Sequence, residues 1–133
     1  MSRITGIEIN KYFKKILQED SIISSLVKKS NIQPLVLAPT NYPFVSFTHE
    51  AIEPDYTKDG QVFDNVIEVV AVVDTDYERS INIISRIREL FEYKSFTDEY
   101  IKIPDFTVVS IDEDVISNAF VQHIIFKFEV YSK

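Results

Sequence analysis

Hydrophobic residues recur at helical spacing near the start of the chain, and lysines fill the positions between them. The spacing predicts a helix whose buried stripe carries Ile9, Tyr12, Phe13, Ile16 and Leu17. Thr5 followed three residues later by Glu8 is a capping-box pattern for its first turn. A second, shorter helix is predicted after Asp20, and its inward-facing residues are Ile22, Ile23, Leu26 and Val27.

The pattern changes from helical to extended after Asn31. We expect strands over residues 32–37 and 44–52, separated by a turn at 39–43. A polar loop over 53–60 then leads to a long β-branched strand over 62–73. Because this strand is apolar on both faces, we expect both of its faces to be covered.

The longest predicted helix begins with a second capping-box pattern, Thr75 to Glu78, and runs to about residue 93. Two more strands follow, over 100–111 and 119–131. The run Asp112-Glu113-Asp114 is expected to form the acidic loop that joins them.

Alternation along the strands assigns a second group of apolar residues to the face that the helices leave free. On the last strand these are Val121, Ile125 and Tyr131, and on the long middle strand Val69 and Val73 lie on an equivalent face. We expect these five residues to form a contact between subunits, since apolar groups on a free face mark interaction sites.

These elements predict a single α+β domain over residues 1–133. Its sheet is expected to be mainly antiparallel with about five strands, and the N-terminal helix and one long helix are expected to pack on one face. The predicted order is helix, short helix, three strands, long helix and two strands.

Composition narrows the functional classes. The chain has no cysteine, which excludes disulfides, thiolate metal sites and cysteine nucleophiles, and its two glycines exclude a glycine-rich phosphate loop. No apolar run is long enough to cross a bilayer, and no signal peptide is evident, so we expect no membrane partner. The formal net charge is −7, with the basic excess confined to residues 1–30, which predicts repulsion from nucleic acid at long range.

Candidate chemical sites are weak. His49 and His123 have no partners at metal-ligand spacing and are expected to be structural. The segment from Asp55 to Gly60, with Asp59, matches the opening of an EF-hand loop, but Phe63 and Val66 occupy positions where ligands belong. No serine lies in a nucleophile-elbow pattern. We therefore expect no catalytic residues, no metal, no cofactor and no enzymatic activity.

Several segments together resemble a known family, the tail completion or tail terminator proteins of phages and prophages with long non-contractile tails. The resemblance covers nearly the whole chain. The matching segments are Asp20 to Val27, Tyr42-Pro43-Phe44-Val45-Ser46-Phe47, the Asp59-Gly60 turn, Val66 to Val73, a helix with Ile84, Ile87, Arg88 and Leu90, and Phe126 to Tyr131.

The resemblance implies a non-enzymatic subunit that forms a ring, commonly a hexamer, at the head–tail junction of a virion assembled in the bacterial cytoplasm. The ring caps the tail tube, contacts the major tail tube protein and the head connector proteins, and lets DNA pass without specific binding. The acidic segments are candidates for tube, connector or lumen contacts, and their residues are Asp55, Asp59, Gly60, Asp112, Glu113 and Asp114.

Two other functions remain open from the sequence. One is a small cytosolic ligand-binding or regulatory module that forms a dimer, which requires a concave pocket with convergent polar groups. The other is a metal-dependent hydrolase, which the isolated histidines disfavour.

Overall fold

The computed structural model describes residues 6–34, 41–56 and 62–132, and it places just over half of them in strands. The predictions that involve Thr5, the end of the first predicted strand and residues 57–61 therefore lie outside the described residues. Asp59 and Gly60 belong to that last group.

Two helices open the described chain. Helix α1 (Gly6–Glu19) buries the predicted stripe, in which Ile9, Phe13 and Leu17 are almost fully covered. Helix α2 (Ser21–Leu26) begins at Asp20, whose carboxylate accepts a hydrogen bond from the Ile23 amide at 3.0 Å. Ile23 and Val27 are buried as predicted, but the inward placement of Ile22 is wrong, because its side chain is 47% exposed. A short 3₁₀ turn, Lys29–Asn31, follows.

Helix α3 (Tyr77–Phe91) lies within the range of the predicted helix that begins near Thr75. Its N-cap is Asp76, whose carboxylate accepts a hydrogen bond from the Arg79 amide at 3.1 Å, so the cap lies one residue beyond the predicted Thr75. The strand before the helix ends at the buried Asp74, and Arg79 donates to it at 2.6 Å and 2.7 Å. This ion pair fixes the turn from strand to helix.

Seven strands form one sheet, with the bounds β1 (Ile32–Pro34), β2 (Phe44–Tyr56), β3 (Val62–Asp74), β4 (Phe96–Thr97), β5 (Ile101–Ile103), β6 (Phe106–Ile116) and β7 (Ala119–Ser132). Their order is β1-β2-β3-β7-β5-β4, and β6 pairs with β7 beside β5. Strand β1 runs parallel to β2, whereas the other pairs are antiparallel.

The predicted fold class, an α+β domain with about five mainly antiparallel strands and a long helix, is wrong. The described chain is mostly strand, and its seven strands form a mixed sheet that curls into a half-barrel. The sequence pattern missed β4 and β5 as separate strands because two or three residues are too few to show alternation. The parallel pairing of β1 with β2 also leaves no trace in the alternation of either strand.

Two predicted loops are strands instead. Residues 53–56 continue β2, and Asp112, Glu113 and Asp114 lie within β6. The true turn between β6 and β7 is Ser117-Asn118, and both residues have positive φ (49° and 66°). Three adjacent acids are typical of a loop, which is why a loop was predicted here. In the structure β7 pairs with β6 as far as Ile116, and water solvates the charges of the acids along the exposed edge.

The core lies between the helices and one face of the sheet. Phe13 is at its centre, and its ring stacks on Phe91 with centroids 4.6 Å apart. Rings from three strands surround this pair, namely Phe47, Phe106, Phe126 and Phe128. A cavity beside them, lined by apolar side chains, has a volume of about 10 Å³, which is the space of a single water molecule.

Candidate functional site

The helices pack on one face of the sheet and leave the other face open. Even-numbered residues of β3 and β7, such as Val70 and Ile124, are fully buried in the core. Odd-numbered residues of the same strands point the other way and are mostly half-buried. We call this second side the open face.

The register of β3 against β7 brings the five predicted interface residues onto the open face. Val69 pairs with Ile125, and Val73 pairs with Val121. Tyr131 pairs with Phe63, and their rings stack with centroids 5.0 Å apart. The predicted sharing of one face is confirmed, whereas the contact with another subunit stays a prediction.

The five residues differ in accessibility. Val121 is already buried within the chain, with 5% of its surface exposed, so it forms the floor of the open face. Val69, Val73, Ile125 and Tyr131 keep intermediate exposure and are available to a partner.

The open face is acidic as well as apolar. The registers place five carboxylates and two lysines on it, and these are Glu53, Asp55, Asp112, Asp114, Glu129, Lys102 and Lys127. All seven are exposed. Two open faces brought together would therefore repel each other.

Strand β6 forms an exposed edge beside the open face. Within the described residues no strand pairs with its second edge from Thr107 to Ile116. Val109, Val115 and Ile116 are each more than half exposed along it. Natural proteins protect such an edge with charge or cover it with a partner.

The acidic run of β6 has polar partners but no cation among the described residues. The Tyr77 hydroxyl donates to Glu113 at 2.8 Å, and this hydrogen bond raises the pKa of Tyr77. The Val115 amide donates to Asp114 at 2.7 Å, and the Ser110 hydroxyl donates to Asp112 at 3.4 Å. A surface groove of about 380 Å³ borders this run between Tyr77 and Phe120.

The opposite side of the molecule is basic. Lys11, Lys14, Lys15, Lys28 and Lys29 lie on α1 and just after α2, and we call them the lysine side. Gln18 connects the lysines of α1 with those after α2. It lies one turn after Lys14 on α1, and its side-chain amide donates to the Lys29 carbonyl at 2.9 Å. Within the described part of the chain none of the five lysines makes an ion pair.

Asp55 belongs to the segment from Asp55 to Gly60 that resembles the start of an EF-hand loop. In the structure Asp55 lies in β2. The Asn65 side chain donates to it at 3.4 Å across the strand pair. Since an extended strand does not wrap its oxygens around an ion, the EF-hand resemblance fails here in geometry as well as in sequence. Asp59 and Gly60 remain outside the described residues.

A buried polar group was missed by the sequence reasoning. Glu68 is completely buried on the core face of β3, and neither of its carboxylate oxygens has a hydrogen-bond partner among the described residues. His49 lies directly across from it on β2 and also has an unpartnered buried atom, Nδ1. Burial raises the pKa of Glu68 to about 8. The signal was in the sequence, since Glu68 alternates in phase with Val66 and Val70.

The two histidines are separated by the sheet itself, with His49 on the core face and His123 on the open face. Among the described residues no three His, Cys, Asp or Glu side chains form a cluster suited to a metal ion. No described helix combines the length and apolar character that a bilayer crossing requires.

Comparison with known proteins shows the fold of the chain and leaves its family open. No family model matches the sequence, and no curated protein matches it. Among solved structures, a chain of the "Virion of native gene transfer agent (GTA) particle" superposes with a TM-score of 0.75. The match covers 88% of this chain and 90% of that chain at 11% identity. The two chains therefore share a fold.

Proposed function

We propose that this chain is a structural subunit of a phage-like virion, and more narrowly a tail completion protein. Its copies form a ring, commonly of six, that caps the tail tube and joins it to the head connector. The observation that carries the proposal is the fold shared, over nearly the full length of both chains, with a chain of a gene transfer agent virion. The segments that resemble tail terminator proteins support the narrower role.

The open face supports the self-association that a ring needs. Val69, Val73, Ile125 and Tyr131 offer half-exposed apolar surface on a rigid sheet. Burial of such surface between subunits contributes about 25 cal/mol per Å² of apolar area. The acidic side chains around it, Asp55 and Asp112 to Asp114, would contact the tube or connector or would keep passing DNA from binding to the wall.

The alternative of a ligand-binding module receives no comparable support. The enclosed cavity in the described core has room for about one water molecule, whereas the groove of about 380 Å³ beside β6 lies open to solvent. A metabolite needs a pocket of roughly 300 Å³ or more with convergent polar groups.

The decisive experiment is disruption of the gene in the bacterium that carries it, followed by electron microscopy of the particles released. We expect unjoined DNA-filled heads and tails of irregular length, and the unmodified chain supplied in trans restores joined particles. Particles that join normally without the chain would overturn the tail completion role. Absence of the chain from purified particles would overturn the virion role altogether.

Self-association is tested separately by light scattering. Val69→Asp places a charge in the centre of the open face, and we expect it to reduce the solution mass to that of a monomer. Tyr93→Asp is the matched control, because Tyr93 is 78% exposed and directly follows α3, which packs on the opposite side of the sheet. An unchanged oligomer in Val69→Asp would show that the open face is not the contact.

A further inference from the structure

We propose that the open face of one copy docks on the lysine side of the next copy, so that subunits associate head to tail. This inference rests on the proposed function, because it names the two surfaces that build the ring. It also reassigns Asp112 and Asp114 of β6 from lumen or tube contacts to the contact between copies.

Charge decides between the two ways in which copies of this chain can meet. Face-to-face pairing would set five carboxylates and two lysines against an identical set, and like charges across an interface oppose association. The lysine side carries five lysines, and none of them makes an ion pair within the described part of the chain. Helix α1 contributes two acids, Glu8 and Glu19, so the charge of this side stays positive. Asp20, the next acid along, is already paired with Arg86 at 2.8 Å.

The apolar groups on the two surfaces also fit this arrangement. Val115 and Ile116 stand more than half exposed on the β6 edge next to the open face. On the lysine side, Ile22 is 47% exposed in the first turn of α2. Docking therefore covers apolar groups on both surfaces, and it covers the unpaired edge of β6.

The position of the two surfaces allows the association to continue from copy to copy, as a ring requires. They lie on opposite sides of one rigid sheet, one on the open face and the other on the helices that cover the second face. A contact between two different surfaces repeats from copy to copy, and it closes when the rotation per subunit divides a full turn. A contact of the open face with itself would stop at a dimer.

The test uses two charge-reversed variants of the full chain, followed by sedimentation equilibrium at low salt. In the first variant Asp112→Lys and Asp114→Lys make the open face basic. In the second variant Lys11→Glu and Lys15→Glu make the helical side acidic. All four positions are exposed, so both variants should fold, and circular dichroism checks that they do.

We expect each variant alone to associate at least about tenfold more weakly than the unmodified chain, because each then presents like charges at both of its surfaces. An equal mixture of the two should regain the large assembly, since each reversed surface meets a complementary one. Matched controls carry the same change in charge elsewhere, namely Glu50→Lys with Glu99→Lys and Arg88→Glu with Lys94→Glu. The controls should associate like the unmodified chain.

Three results would overturn the head-to-tail contact. Unchanged association in Lys11→Glu/Lys15→Glu would mean that the helical side takes no part. A mixture that stops at dimers would indicate contact between the open faces themselves. Monomers in both the unmodified chain and the mixture up to about 1 mM would show that neither contact forms with useful affinity. In each case gene disruption still tests the virion role independently.

Discussion

Glu68 is the residue at which the core departs furthest from a hydrocarbon interior. Its carboxyl group lies among Val66, Val70 and Phe126 with no hydrogen-bond partner, and burial raises its pKa to about 8. The pKa in the folded state therefore lies above the unfolded value of 4.5. The folded protein binds more protons than the unfolded chain between these two values, so stability falls as pH rises through this window.

We predict that Glu68→Gln removes this fall. In the unmodified chain, the free energy of unfolding should decrease by about 3 to 5 kcal/mol between roughly pH 5 and pH 9 from this group alone. The variant should show a much flatter profile in urea unfolding followed by circular dichroism. Glu99→Gln is the control, because Glu99 is exposed and its substitution should leave the slope unchanged. Parallel profiles for Glu68→Gln and the unmodified chain would contradict the prediction.

Residue burial could be predicted from the sequence wherever alternation is regular. Period two alone puts Val66, Val70 and Val72 on one face of the strand, and the structure buries all three in the core. Ile22 was missed because α2 has six residues, and one turn and a half does not fix which side faces the core. Glu68 alternates with Val66 and Val70, which predicts a buried position, whereas its charge favours an exposed one. In the structure Glu68 is buried, because the apolar residues on both sides of it along β3 pack into the core.

At the scale of elements, Asp20 connects two helices. It caps α2 through the Ile23 amide, and it accepts two hydrogen bonds from Arg86 of α3 at 2.8 Å and 3.1 Å. Hydrogen bonds from Arg86 hold the pKa of Asp20 below its ordinary value. The stabilisation is therefore present above about pH 4 and is lost as pH falls through the lowered folded-state pKa. A helix of only six residues depends on such contacts because its own propensity is too weak.

We predict that Asp20→Ala lowers the free energy of unfolding by about 2 kcal/mol near pH 7, since it removes both the cap and the ion pair. Asp20→Asn keeps the cap and should lose about half as much. Both differences should shrink progressively as pH falls below about 4, because the carboxylate then becomes protonated. Asp76→Asn is the control, because Asp76 caps α3 through the Arg79 amide and forms no salt bridge among the described residues. An Asp20→Asn variant as stable as the unmodified chain would show that Arg86 contributes nothing.

The existence of elements was easier to predict than their ends. The three helices and the long strands were found because each presents several repeats of its period. The β6–β7 hairpin was misjudged because Asp112, Glu113 and Asp114 have low strand propensity, whereas the cross-strand ladder with β7 determines their conformation. The turn itself lacks the glycine that marks a tight hairpin, since Ser117 and Asn118 both adopt positive φ.

At the scale of the whole molecule, Phe13 joins elements that are distant in sequence. Its ring contacts aromatic rings of β2, α3, β6 and β7, so both ends of the chain depend on it. We predict that Phe13→Ala destabilises the protein by about 3 to 5 kcal/mol and that Phe13→Leu does so by less. Far-ultraviolet circular dichroism and tyrosine fluorescence should still report one common transition.

Tyr93→Ala provides the control for this prediction. Tyr93 is 78% exposed, and surface substitutions usually change stability by less than about 0.5 kcal/mol. Separate transitions for the two probes in Phe13→Ala would indicate that the helices and the sheet unfold as independent units.

The candidate site was predictable in part. Alternation within each strand was enough to group the five apolar residues of the open face. The β3–β7 register then brings the two sets together on one face, and the residues are Val69, Val73, Val121, Ile125 and Tyr131. The acidic character of that face was not predictable, since it depends on which strand lies beside β7 and on the bulge after Val108. Long-range pairing of this kind is set by tertiary packing and leaves no local signal.

The unpaired edge of β6 has a consequence for the protein before it assembles. An exposed strand edge with Val109, Val115 and Ile116 is a template on which another chain can add by backbone hydrogen bonding, and such growth leads to aggregates. Asp112, Glu113 and Asp114 act there as gatekeepers, because each added copy would bring three more carboxylates against them. The same carboxylates that select a basic neighbour thus keep newly made chains soluble while they await it.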